Sequence, residues 1–342
     1  MSIAQLAAAS SGFGGFPGRD AWEAARIVVG ELSVPYMPLL PERGFWASDI
    51  GRTSALLTDF PVEAGPHGYR VAGRAGADLR RSQDFLDQDF DALEEVIERD
   101  GRAGSAVVAE AIGPVSLAAA IDLANGHQVL RDRGALRDLA ASLHDGVRAH
   151  VAELRRRLRC DVVLRLNEPV LRDALRGEIS TVSGLGTLPA VPTNAAVELL
   201  RPFTEAGAAG LVLSSVMSDS TLSVLRELPD VGVWAPSFQL SSRHYDQLGW
   251  LFEAGRTVGL GLVPSREPVL APGQRVPSVK ELLAPALTLV GQLGFPVSVL
   301  ASTVHVTPVG DFDPNTGAWA ARALKLTAQV AAALADAASG EG

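Results

Sequence analysis

Lysine is nearly missing from this chain. Of its 30 basic residues only Lys280 and Lys325 are lysines, and the rest are arginines. Acids outnumber bases, giving a net charge of −9 and a pI near 5.2, which excludes the general basic surface of a nucleic-acid binder. There is one cysteine, Cys160, so neither an intrachain disulfide nor a Cys-pair zinc site can form. The N-terminus lacks a basic segment followed by an apolar run, so no signal peptide is expected. The longest apolar runs are broken by charge or glycine well short of a membrane span. These absences predict a cytoplasmic protein with no nucleic-acid or membrane partner and leave the oligomeric state open; the expectation of a small-molecule partner comes from the strand-end residues.

What is present is a 342-residue chain that is 47 % hydrophobic, enough for one α/β barrel with extra segments. Residues 1–20, with "SSGFGGFPGRD", read as a glycine-rich loop in which Asp20 caps the helix "AWEAARIVVGEL". Residues 34–82 are rich in Pro, Gly and Arg and read as an irregular excursion with a short helical patch, "DIGRTSALLTDF". "SQDFLDQDFDALEEVIERD" then carries apolar residues at helical spacing.

Strand and helix signals alternate from there on. "SAVVAEAIGP", "DVVLRLNEP", "AGLVLSS", "VGVWAP", "TVGLGLVP" and "STVHVTP" are the strands, separated by amphipathic helices. Short apolar strands alternating with such helices mean parallel βα units. Two further strands, near Phe13 and in the 50–75 region, bring the count close to eight. The predicted fold is an α/β (β/α)8 TIM barrel with an N-terminal irregular and helical extension, one domain over 1–342; a doubly wound open sheet is the alternative.

Active sites of such barrels lie at the C-terminal ends of the strands. The candidates there are Glu110, the pair Asn167–Glu168, Ser214–Ser215, Pro264–Ser265 and Thr307–Pro308. Glu168 stands out, because Pro169 fixes its backbone and a carboxylate there can hold an amine, accept a proton or ligate a metal. The structural alternative is that Glu168 caps the next turn or pairs with an arginine. The six histidines form no HxH, HExxH or His-Cys pair. His305 lies inside the last strand, on the same face as Thr303 and Thr307, as a core residue or a ligand-binding one. "GFGGFPG" matches neither phosphate-loop pattern, although its amides could hold a carboxylate. Cys160 falls at the N-terminal end of its strand, away from the expected site.

Four segments together resemble the cobalamin-independent methionine synthase family, in particular its C-terminal catalytic barrel. "GGFPGRD" at 14–20 resembles the family's Gly-Ser-Phe-Pro segment and "IGPVS" at 112–116 its Gly-Pro-Val-Thr segment. "LNEPVL" at 166–171 is similar to its Asp-Glu-Pro-Ala segment, and "VTPVGDFD" at 306–313 to the last-strand segment that carries a cysteine. Order and spacing agree across most of the chain. The wider superfamily includes uroporphyrinogen decarboxylase, whose arginine-rich N-terminal motif is not seen here.

The resemblance implies methyl transfer from a methyl-folate-type donor to a homocysteine-like acceptor, with zinc holding the thiolate. It implies Glu168 as catalytic base or amine anchor, and a substrate site at Gly14, Gly15, Ser116, Asn167, Glu168, Ser214, His305 and Thr307. The zinc ligands are missing. Ser214-Ser215-Val216 replaces the expected His-x-Cys, no acid stands near Pro236 to Gln239, and Val309 or Gly310 replaces the last-strand cysteine. No metal and no other cofactor is therefore expected. Asn167 replaces an aspartate, and Gly15 a serine. Three functions follow: a methyltransferase with altered chemistry, a non-catalytic binder of a small ligand or partner protein, and an unrelated barrel enzyme using Glu110, Glu168 and His305.

Overall fold

A computed structural model describes residues 6–235, 244–269 and 274–340. The helix α1 (Ala21–Glu31) opens where Asp20 accepts hydrogen bonds from the amides of Trp22 and Glu23. After α2 (Asp49–Leu56) comes a hairpin of β1 (Val62–Gly65) and β2 (Gly68–Val71), followed by the long helix α3 (Ala77–Arg99). Then β3 (Val107–Ile112), α4 (Pro114–Ala120), the two-residue β4 (Ile121–Asp122) and α5 (Arg133–Leu158) lead to β5 (Val162–Glu168). The helices α6 (Leu171–Arg176) and α7 (Thr193–Leu200) precede β6 (Gly210–Ser215), and α8 (Asp219–Arg226) precedes β7 (Val231–Ala235). The chain closes through α9 (Tyr245–Glu253), β8 (Val258–Val263), α10 (Val279–Leu293), α11 (Ser298–Thr303), β9 (Val304–Pro308) and α12 (Gly317–Ser339).

The main sheet is parallel, in the order β3-β5-β6-β7-β8-β9. Each strand lies beside its predecessor, so the order never reverses as it would in a doubly wound sheet. The strands are buried on both faces, which is why they read as continuous apolar runs.

The expectation of a closed eight-stranded barrel is met in part. This is a curled six-stranded sheet compatible with a barrel, and its outer strands are joined by irregular chain. Ser10 bridges to Val306 of β9, Tyr36 to Val108 of β3, and Gly15 to Leu39. The amide of Val34 also donates to the Ser10 carbonyl (3.0 Å). Residues 8–16 and 34–39 thus span the gap between β9 and β3 without a regular ladder. The strand expected in the 50–75 region does not join this sheet. It is the β1–β2 hairpin, which pairs with β4 in a separate three-stranded sheet. Its short polar strands cannot supply the two apolar faces that a strand of the main sheet needs.

Candidate functional site

Strand alternation fixes what each side chain can reach. In β5, Arg165 and Asn167 share one face, and Leu164, Leu166 and Glu168 share the other. The parallel registers align Asn167 with Ser214, Ser214 with Trp234, Trp234 with Gly259 and Gly259 with His305. That row looks into the curl of the sheet. One step deeper, Glu110 is in register with Arg165.

A cleft of about 500 Å³ opens at the C-terminal ends of the strands. Asn167, Ser214 and Arg165 line it, together with Gly14, Gly15 and Glu110; Arg52, Asp49, Asp311 and Asp313 complete its polar wall. The four segments that carry the resemblance converge around it. The "GGF" turn packs on the chain after β9: Phe312 donates to the Gly15 carbonyl (2.7 Å), and the rings of Phe16 and Phe312 meet edge to face. A Cβ on Gly15 would come within 2.7 Å of the Asp313 Cβ, and Gly14 has φ +72°, so both positions require glycine.

Glu110 and Arg165 form a buried ion pair at the base of the cleft, with Nη1 to Oε2 at 2.9 Å. The Gly14 amide donates to both Glu110 oxygens (3.1 and 3.2 Å). The anion held by the glycine turn is therefore the protein's own carboxylate. Burial raises the pKa of Glu110, against the pull of Arg165 and the Gly14 amide. Arg165 also donates to Ser214 Oγ (2.8 Å), and its guanidinium lies over the ring of Phe13 (4.4 Å), with Trp234 at 5.3 Å.

Glu168 is elsewhere. It is fully buried on the helix side of β5, against the N-terminus of α4, and it does not line the cleft. Its carboxylate accepts from the amides of Val115 (2.9 Å) and Ser116 (2.8 Å) and from the Ser116 hydroxyl (2.6 Å). This is the geometry of a cap on the next turn, and it takes Ser116 away from the cleft as well. Burial raises its pKa to about 7.

His305 is fully buried with its ring edge-on to Trp234 (4.6 Å), and among the described residues neither ring nitrogen has a hydrogen-bond partner. Burial, then Arg165, pushes its pKa down to about 3, so it is neutral. Thr307 is buried and donates to the Pro308 carbonyl (2.9 Å). Of the residues assigned to substrate, Gly14, Gly15, Asn167 and Ser214 line the cleft, while Ser116, Glu168, His305 and Thr307 do not. Glu110, Glu168 and His305 do not assemble as an acid–base set, since Glu168 faces the opposite side of the sheet.

Sequence reading alone misses Arg165, Arg52, Asp49, Asp311 and Asp313. A lone arginine inside an apolar strand is the signal for the first. The acids of "GDFD", directly after the last strand, are the signal for the final pair. Arg52 is buried and held by Asp89 and by the carbonyls of Met37 and Pro38. Burial raises the pKa of Asp311, reinforced by Asp313 and, more weakly, by Asp49.

Ser214, Ser215, Val216, Val309 and Gly310, which stand where zinc ligands would be, all line the cleft. Hydroxyls and aliphatic groups do not make a thiophilic zinc site. The stretch near Pro236 to Gln239 lies outside the described residues. Among the described residues no group of three His, Cys, Asp or Glu is placed to hold a metal, and no helix is long and apolar enough to cross a membrane.

No protein-family model and no curated protein matches the chain. Among solved structures it is similar to a methyltransferase from Methanosarcina mazei, with 13 % identity and a TM-score of 0.51 over 92 % of this chain and 82 % of that one. At this identity the likeness defines the class by fold alone: an α/β, barrel-like architecture shared with a methyltransferase.

Proposed function

We propose that the cleft binds a small ammonium-bearing molecule and that the protein acts in methyl transfer on it. The charge balance of the wall carries the first half. Both arginines of the lining are already engaged by buried carboxylates, Arg165 by Glu110 and Arg52 by Asp89. Asp49, Asp311 and Asp313 are left as a like-charged rim; the pKa of Asp311 is raised first by burial and then by repulsion from Asp313 and, more weakly, Asp49. A cation relieves that repulsion, whereas a carboxylate meets it. The turn amide that could have held a ligand carboxylate is occupied by Glu110.

The second half rests on the shared fold with a methyltransferase and on the segment resemblance to the methionine synthase family. The family's donor, a methyl-folate, and its homocysteine-like acceptor are candidates on the resemblance alone. With hydroxyls in place of thiophilic ligands, the acceptor here is not a zinc-bound thiolate, and no step runs through zinc.

The test is a thermal-shift and calorimetry panel of primary and methylated amines, neutral isosteres, carboxylates, methyl-folate and homocysteine. Ammonium compounds stabilise the folded protein by mass action, by about 2.7 kcal/mol at a hundredfold excess over Kd, and so raise its melting temperature. Asp311→Asn weakens their binding about tenfold, as expected for the loss of one charge-assisted contact. A panel in which carboxylates stabilise the protein and no amine does would reverse the assignment.

A further inference from the structure

We infer that Ser214 and Asn167 recognise a hydrogen-bond-accepting oxygen of the ligand, and that Arg165 is the positioning residue that turns the Ser214 hydroxyl toward it. This rests on the cationic cleft proposed above and specifies the second polar group of its ligand.

The inference begins with donor counting. A guanidinium can only donate. In the contact between Arg165 Nη2 and Ser214 Oγ (2.8 Å), Ser214 must therefore be the acceptor. Its own hydrogen remains to be placed, and among the described residues it finds no acceptor. Ser214 is buried to 4 % exposure and lines the cleft, so the open side of its hydroxyl is the cleft itself. Arg165 cannot swing away. Glu110 holds its other arm, and Phe13 and Trp234 flank its plane. Accepting from the cationic guanidinium also polarises the Ser214 O–H bond and makes it a stronger donor.

Asn167 stands beside it. The two residues are in register on adjacent strands, on the same face, and both line the cleft. The Asn167 side chain has no internal hydrogen bond among the described residues, so its amide is available to the ligand. A preset donor and a free amide side by side select an oxygen that accepts, such as an ether, hydroxyl or carbonyl. The acid rim takes the ammonium. The ligand class is a small amine carrying such an oxygen on a short spacer.

Isosteric probes separate this claim from the simpler cation claim. 2-Methoxyethylammonium and butylammonium differ by an ether oxygen in place of a methylene; 3-methoxypropylammonium and pentylammonium repeat the comparison with a longer spacer. Binding is measured by calorimetry and by ligand-observed NMR competition. In at least one pair the wild type prefers the ether about tenfold, the size of one net hydrogen bond. Ser214→Ala removes the preference, so that ether and alkyl probes bind that variant alike, and Ser214→Thr, which keeps the hydroxyl, retains it. The double variant E110Q/R165M avoids stranding a buried charge; it loses the preference while its melting curve shows a folded protein.

Equal binding of ether and alkyl probes by the wild type, or a preference that survives Ser214→Ala, would overturn the inference and leave the cation site standing. Failure of all four amines to bind would remove the cation site and this inference together.

Discussion

Glu168 sits between two opposing effects. Burial without a counter-cation favours its neutral form, while three hydrogen-bond donors at the start of α4 favour the carboxylate. Burial wins, raising the pKa from an ordinary 4.5 to about 7. An acid with a raised folded-state pKa holds its proton more tightly when folded. Its stabilising contribution is full below pH 4.5 and is lost as the pH rises to about 7, by ~3 kcal/mol. The stability gap between wild type and Glu168→Gln therefore narrows by that amount across the window, in denaturant titrations at a series of pH values. A gap independent of pH would show that folding does not raise the pKa of Glu168. Ligand binding is unaffected, because the residue does not face the cleft. The sequence singles out "NEP" as a strand-end pair, and that much is right. The two residues nonetheless part company, because period-two alternation turns Asn167 inward with Arg165 and Glu168 outward with Leu166. Arg165 was missed although its signal stands in the same seven letters: an arginine amid valines and leucines must be paired with something.

At the scale of elements, two helical glycines make opposite predictions. Alanine is normally the better helix former by about 1 kcal/mol. In α9, a Cβ at Gly249 meets only the Leu293 side chain at 3.8 Å, so Gly249→Ala raises stability by up to about 1 kcal/mol. In α5, a Cβ at Gly146 would fall 1.6 Å from the Leu56 carbonyl oxygen at the end of α2. Backbone cannot yield as a side-chain tip can, so Gly146→Ala costs about 3 kcal/mol despite its propensity gain. Urea denaturation of both variants checks the sign at each site, and a stabilised Gly146→Ala would mean that α2 and α5 pack less closely than described. The longer helices were legible from their period, and the first also from its cap, Asp20, which accepts backbone amides at the helix start; the short α4, α6 and α11 were not. Residues 34–39 were not legible as part of the sheet system. Two prolines and isolated bridges at Tyr36 and Leu39 leave no alternating pattern, and the place of Tyr36 depends on Val108, far along the chain.

For the molecule as a whole, Cys160 offers a single reporter of opening. It is buried at 6 % exposure, and burial, aided by Asp161, pushes its thiol up to about 11. Both features suppress the thiolate that reacts. Labelling with a disulfide reagent at pH 8 is therefore slow in the native protein and accelerates with denaturant in step with unfolding; rapid native labelling would contradict the packing around β5. The seam between residues 8–16 and β9 has a further consequence for synthesis. One wall of the cleft is Gly14 and Gly15, and the wall they lean on is Asp311 to Asp313. About 300 residues separate the two, and at ribosomal speeds of about 5–20 residues per second that is roughly 15–60 s. Throughout that interval the glycine turn has been made and its partner has not. The nascent chain can therefore complete neither the cleft nor the seam until β9 and the residues after it leave the ribosome, and until then the opening segment can pair only with residues 33–39 and Glu110.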